Sequence, residues 1–134
     1  ETAAPLAELT GLSPVTLDGV AEYDRHSGEY IPIEELKRTD YTAWQALVAG
    51  QRVGDVAAFR ERVVADLAPL ARQHRGGTVA VCCHGGVINV WATHVLGMEP
   101  RLFFEPHYTS VNRFLCSSAG HLSLASLNET AHLR

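Results

Sequence analysis

Three cysteines in 134 residues give the chain no disulfide framework. Cys82 and Cys83 are adjacent, and an odd count with neighbouring members does not pair neatly inside one small domain. A reducing compartment and a cytoplasmic location are therefore expected. The same pair with His84 makes a poor zinc site, because neighbours on a strand point to opposite faces and no second Cys or His pair stands at ligand spacing. Cys82 and Cys83 read instead as small buried hydrophobes. Basic runs are missing too: the eleven Lys and Arg are scattered and the formal net charge is −4, which argues against a nucleic-acid surface. No apolar stretch approaches bilayer length, and the first residues lack the basic start and apolar middle of a signal peptide. Internal repeats, low-complexity tracts and interdomain linkers are likewise missing.

What is present suits one globular unit, residues 1–134, with 46% hydrophobic residues and enough length for a useful core. Leu6, Leu9 and Leu12 share one face of an expected helix over residues 2–12, which Gly11 to Pro14 end. A short strand is expected at residues 15–17, then a polar loop carrying Glu22, Asp24, Arg25 and His26. Helical segments follow at 33–38 and 41–49. Asp55 is a good N-cap for a long amphipathic helix with Val56, Phe59, Val63, Leu67 and Leu70 at intervals of three and four; Pro69 should bend or shorten its last turn. Gly76-Gly77 stops it. Residues 78–83 form a continuous apolar run suited to a parallel strand covered on both faces, and residues 86–96 an apolar helix. Two alternating runs, 110–116 and 121–127, flank Ser117-Ser118-Ala119-Gly120 as a β-hairpin. The alternation of helix and strand predicts an α/β fold with helices on both faces of a mixed sheet.

The passage from buried strand through His84-Gly85-Gly86 into a helix is the most informative stretch. Glycines there let a helix begin with its N–H groups exposed, and a histidine beside them can hold a phosphate oxygen while the helix dipole adds fixed positive charge. Ligands in open α/β sheets bind beyond the carboxyl ends of the strands, where His84 falls. The other reading of this segment, a histidine that merely ends a strand, stands level with it on local pattern alone.

Two further stretches bear on that choice. Leu17-Asp18-Gly19-Val20-Ala21-Glu22-Tyr23-Asp24 lies upstream and Leu127-Asn128-Glu129-Thr130-Ala131-His132-Leu133 at the end. With Thr2-Ala3 and the His-Gly-Gly turn they resemble, in order and spacing, the histidine phosphatase superfamily, the phosphoglycerate mutase-like fold. That resemblance implies a three-layer sandwich with a mixed, mostly parallel sheet. The family's Arg-His-Gly, whose histidine is phosphorylated, has no counterpart here. Arg25-His26 is followed by Ser27 and preceded by no strand, so it reads as a polar loop rather than a relocated nucleophile. Thr2-Ala3 matches a pair that follows the family's second phosphate-binding arginine. The chain is thus expected to start just after that arginine, as the C-terminal two-thirds of the family domain.

The resemblance implies roles residue by residue. His84 matches the second pocket histidine, which stabilises charge building on the phosphoryl group without being the nucleophile. Gly85 and Gly86 would offer backbone N–H groups to the phosphate. Glu22 matches the acid that protonates the departing oxygen, although a glutamate in a loop is otherwise most simply a surface residue. His107, Tyr108 and Asn112 stand where the chain can pass over the pocket, but read more simply as packing or solvent-facing. Trp44 and Trp91 read as core, His74 and His94 as structural, and His132 as part of the closing resemblance. The implied activity is a metal-independent phosphomonoesterase using a phosphohistidine intermediate in the complete protein, without cofactor or metal. The partner is a small-molecule phosphate ester, with no nucleic acid or membrane, and a homodimer is compatible. The alternatives are mutase-type phosphoryl transfer, a non-catalytic phosphate-ligand binder, and an interaction domain whose sheet edge meets another chain. Acidic Glu29, Glu34 and Glu35 after Arg25 favour phosphatase over mutase, since a tight polyanionic pocket wants positive charge. Without the nucleophile, the 134 residues alone should turn over little.

Overall fold

The computed structural model describes residues 1–23, 33–48 and 56–134. Its centre is a pair of helices. In α4 (Val56–Gln73), Phe59, Val63 and Leu67 recur at four-residue intervals and are buried. That stripe packs on α5 (Gly85–Val95), where Val87, Val90 and Trp91 complete the core. Val63, Val87 and Val90 are fully buried, and such side chains stabilise by about 1.5–3 kcal/mol each relative to exposure. Val56 and Leu70 pack at the margin of this core. Pro69 removes one donor from α4, yet the helix continues to Gln73 and His74 still donates to the Leu70 carbonyl. Asp55, the expected cap, lies outside the described residues, as do Asp24, Arg25, His26 and Glu29.

The hairpin forms as expected. Strands β1 (Val111–Cys116) and β2 (Leu122–Glu129) pair antiparallel, and β1 sends Phe114 edge-on against Trp91 with ring centroids 6.2 Å apart. Helices α1 (Ala4–Thr10), α2 (Ile33–Thr39) and α3 (Tyr41–Val48) fall close to the predicted segments. Trp44, half-buried rather than core, stacks on Tyr41 at 5.2 Å with the Lys37 ammonium 4.6 Å from its ring. Trp91 is core. No helix among the described residues is long and apolar enough to cross a membrane.

Two strand expectations are not met. Residues 15–17 are irregular and lead into a 3-10 turn, Asp18–Val20. Residues 78–83 join no ladder, so the sheet among the described residues is the two-stranded hairpin rather than a mixed, mostly parallel one. A strand is defined by its partner, and no described segment runs beside this one to take its N–H and C=O groups. Val79 and Val81 consequently stay 41% and 40% exposed instead of covered on both faces. The leucine face of α1 is in the same position: Leu9 is 85% exposed.

Candidate oxyanion site

His84 is the N-cap residue of α5, with extended backbone (φ −118°, ψ 168°), and its ring makes no capping hydrogen bond. Its carbonyl accepts from Ile88 N–H at 3.1 Å, closing the first helical turn, and its side chain is exposed. One step on, the Gly86 N–H donates to Glu22 Oε2 at 2.9 Å across a separation of 64 residues. Oε1 of the same carboxylate accepts from Tyr23 N–H at 2.9 Å. A half-buried carboxylate is thus fixed at a helix N-terminus, where unpaired N–H groups and the helix dipole favour negative charge. Gly86 must be glycine for this approach. A Cβ there would lie 2.9 Å from Glu22 Cδ and 3.0 Å from Tyr23 Cδ1.

This geometry separates the two glycines expected to serve a phosphate. The Gly86 N–H is committed to Glu22. Gly85 N–H has no acceptor among the described residues. His84, Gly85 and Glu22 therefore come together at one helix end, with Gly86 as the link between them.

Glu22 is held there by α4. Asp66 Oδ2 accepts from Gly19 N–H at 2.8 Å, and Arg62 Nη2 donates to the Ala21 carbonyl at 3.2 Å. The Arg62 guanidinium also lies 5.0 Å from the centre of the Phe59 ring. Reading the sequence singled out neither residue; the signal was a charged pair at four-residue spacing on the rim of an apolar helical stripe.

Cys83 packs against the core beside this carboxylate. Burial first, then the Glu22 charge and Cys82, push its thiol from 9.0 up to about 11, against a smaller opposite effect of the backbone hydrogen bond at His84. It is a protonated packing group at neutral pH, as expected. Cys82 departs from expectation in being exposed, and Cys116 is exposed too. Among the described residues, no three His, Cys, Asp or Glu side chains gather as a metal-ligand set.

The remaining polar residues lie elsewhere. His94 stacks on Trp91 at 5.4 Å, and its pKa is lowered by burial and then by Arg60. His132 Nε2 lies 3.0 Å from the Thr109 carbonyl, tying the closing 3-10 turn to the loop before β1. His107 and Tyr108 line an open cavity of about 340 Å³ with Thr130, Leu133 and Arg134, a lining that does not include His84.

A sequence model of the histidine phosphatase superfamily, branch 1, matches residues 1–130. The chain belongs to the histidine phosphatase superfamily. Neither the curated proteins nor the solved structures compared with it contain a match. Membership accounts for the α/β character and for the general phosphatase and mutase-like theme of the motifs.

Proposed function

We propose that the complete protein is a metal-independent phosphomonoesterase acting on a small-molecule phosphate ester, with the 134 residues forming one domain of a three-layer sandwich. In the complete protein the sheet would be mixed and mostly parallel, with residues 78–83, which pair with no described segment, as one of its strands. The observation that carries this reading is Glu22 bound to the Gly86 N–H, with His84 the N-cap residue of the same helix: an acid and a helix N-terminus meet two residues from a histidine. A histidine in the upstream Arg-His-Gly of the family attacks phosphorus. A nitrogen–phosphorus bond forms as the ester oxygen–phosphorus bond breaks, and Glu22, which has to be protonated when the ester is bound, passes that proton to the departing oxygen. His84 and the Gly85 N–H meet the charge that builds on the phosphoryl oxygens. Water then attacks the phosphohistidine, gives its proton to Glu22 and releases orthophosphate.

The test is hydrolysis of p-nitrophenyl phosphate by the 134-residue chain and by a version extended upstream through the Arg-His-Gly, each with and without EDTA. Only the extended version should turn over, EDTA should leave it unchanged, and His84→Ala or Glu22→Gln should each slow it by about a hundredfold or more. Turnover by the 134-residue chain, with phosphate trapped on one of its seven histidines, would overturn the account of the nucleophile. Vanadate binding by the extended version without turnover would favour a non-catalytic phosphate binder.

A further inference from the structure

Residues 103–107 cross the α5 N-terminus and are tied down from both sides by asparagine side chains. On one side stands Asn89, 2% exposed inside a largely apolar helix. Its Oδ1 accepts from Phe103 N–H at 2.8 Å and Phe104 N–H at 3.2 Å, while its Nδ2 donates to the Phe104 and Gly85 carbonyls, both at 2.9 Å. Every polar atom of this buried amide is used, and one bond ends on Gly85 itself. On the other side stands Asn128, one of two non-glycine residues with positive φ (57°) among those described. Its Oδ1 accepts from His107 N–H at 2.8 Å, and its Nδ2 reaches the Glu105 carbonyl at 3.4 Å. Its own N–H donates to Asn112 Oδ1 at 2.8 Å, which holds Asn128 in place. Between the two ties lies Pro106, whose Cδ is 3.6 Å from where a Cβ on Gly85 would stand.

We propose that Asn89 and Asn128 are positioning residues that hold residues 103–107 as a fixed wall against the His84–Gly86 turn and so set the orientation of the Gly85 peptide. This rests on reading that turn as the oxyanion site. The backbone of the segment leaves much of its hydrogen bonding to side chains, so its place depends on those two amides. A left-handed backbone is tolerable for asparagine and costs nothing for glycine. Asn128→Gly therefore removes the tie to His107 and Glu105 without straining β2.

The experiment titrates orthovanadate, a tetrahedral phosphate analogue, into the 134-residue chain and its variants while recording amide NMR resonances. Asn128→Gly should move the Gly85 and His107 resonances in the ligand-free protein and leave Val63 in the core unchanged. Its vanadate affinity should fall about tenfold, the lower end of what losing an outer orienting partner costs at metal sites. Asn89→Leu should do the same where it folds; Asn128→Gly carries the test where it does not. A variant in which His107 moves while Gly85 and the vanadate affinity stay as in the parent would overturn the proposal. A parent chain that binds no vanadate would instead count against the oxyanion reading. The wall would then be judged by the ligand-free Gly85 resonance: movement in Asn128→Gly upholds it, and constancy overturns it.

Discussion

At the scale of residues, the candidate site depends on one hydrogen atom. Gly86 lets Glu22 approach the α5 N-terminus because it has no Cβ, and Gly86→Ala is a direct test of that dependence. The closest colliding atoms belong to the end of the flexible Glu22 side chain, with the Tyr23 ring next at 3.0 Å, so Glu22 should swing away rather than the helix unravel. Losing a hydrogen bond to a charged group costs about 1.5–3 kcal/mol, and alanine in place of helical glycine regains up to about 1, leaving a net loss on the order of 1 kcal/mol. Urea unfolding should record that small change while hydrolysis by the upstream-extended protein falls as far as in Glu22→Gln. A loss of several kcal/mol, or intact activity, would contradict this account. Cys83 offers a pH test. With its thiol raised to about 11, the reactive thiolate is scarce at pH 8, and burial limits access. Iodoacetamide at that pH should label exposed Cys82 and Cys116 first in mass spectra. Cys83 should react only on unfolding or as the pH climbs towards 11, since raising a thiol's pKa moves thiolate formation upward.

Among the elements, α4 does two jobs with different faces. Phe59, Val63 and Leu67 dock it on α5, while Arg62 and Asp66 at the rim hold the 3-10 turn that delivers Glu22. Gly19 is the point of closest approach. A Cβ there would lie 2.5 Å from Asp66 Oδ2 and 2.8 Å from the Arg62 carbonyl, which is helix backbone and cannot swing aside. Gly19→Ala should therefore cost about 1–3 kcal/mol, the usual range for overpacking, in contrast to the milder Gly86→Ala. It should also displace Glu22, seen as a shift of the Gly86 amide resonance. Equal stability of the two alanine variants would show that the turn does not rest on α4.

The whole molecule is unevenly held. Among the described residues its buried side chains sit in α4 and α5, apart from Ala43 of α3, with the hairpin against them, while α1 has none. Local opening free energy follows buried apolar contact. Amide hydrogen exchange should accordingly be slowest in α4 and α5, intermediate in β1 and β2, and fastest in α1. Slow exchange in α1, comparable with α5, would mean that its leucine face is covered in solution. Leu9 on α1 and Val15, together with Val79 and Val81 before α5, leave apolar surface open to water.

Periodicity alone determined much of this chain. The four-residue spacing of Phe59, Val63 and Leu67, the apolar helix after His84 and the alternating runs of the hairpin each encode their own buried face, so α4, α5 and the β1–β2 pair were legible from the sequence. His84, Gly85 and Glu22 were legible as motif residues, though nothing local says that the carboxylate lands on Gly86 rather than in solvent. Residues 78–83 show the limit in the other direction. Their composition specifies a covered strand, but strand formation is a property of a pair, and the described chain supplies no neighbour. Tertiary structure decided the rest: Asp66 and Arg62 gripping the turn before Glu22, and Asn89 and Asn128 gripping residues 103–107. Those contacts join residues far apart in sequence through single polar atoms. They have no period to read, because their partners are backbone groups that every residue carries alike.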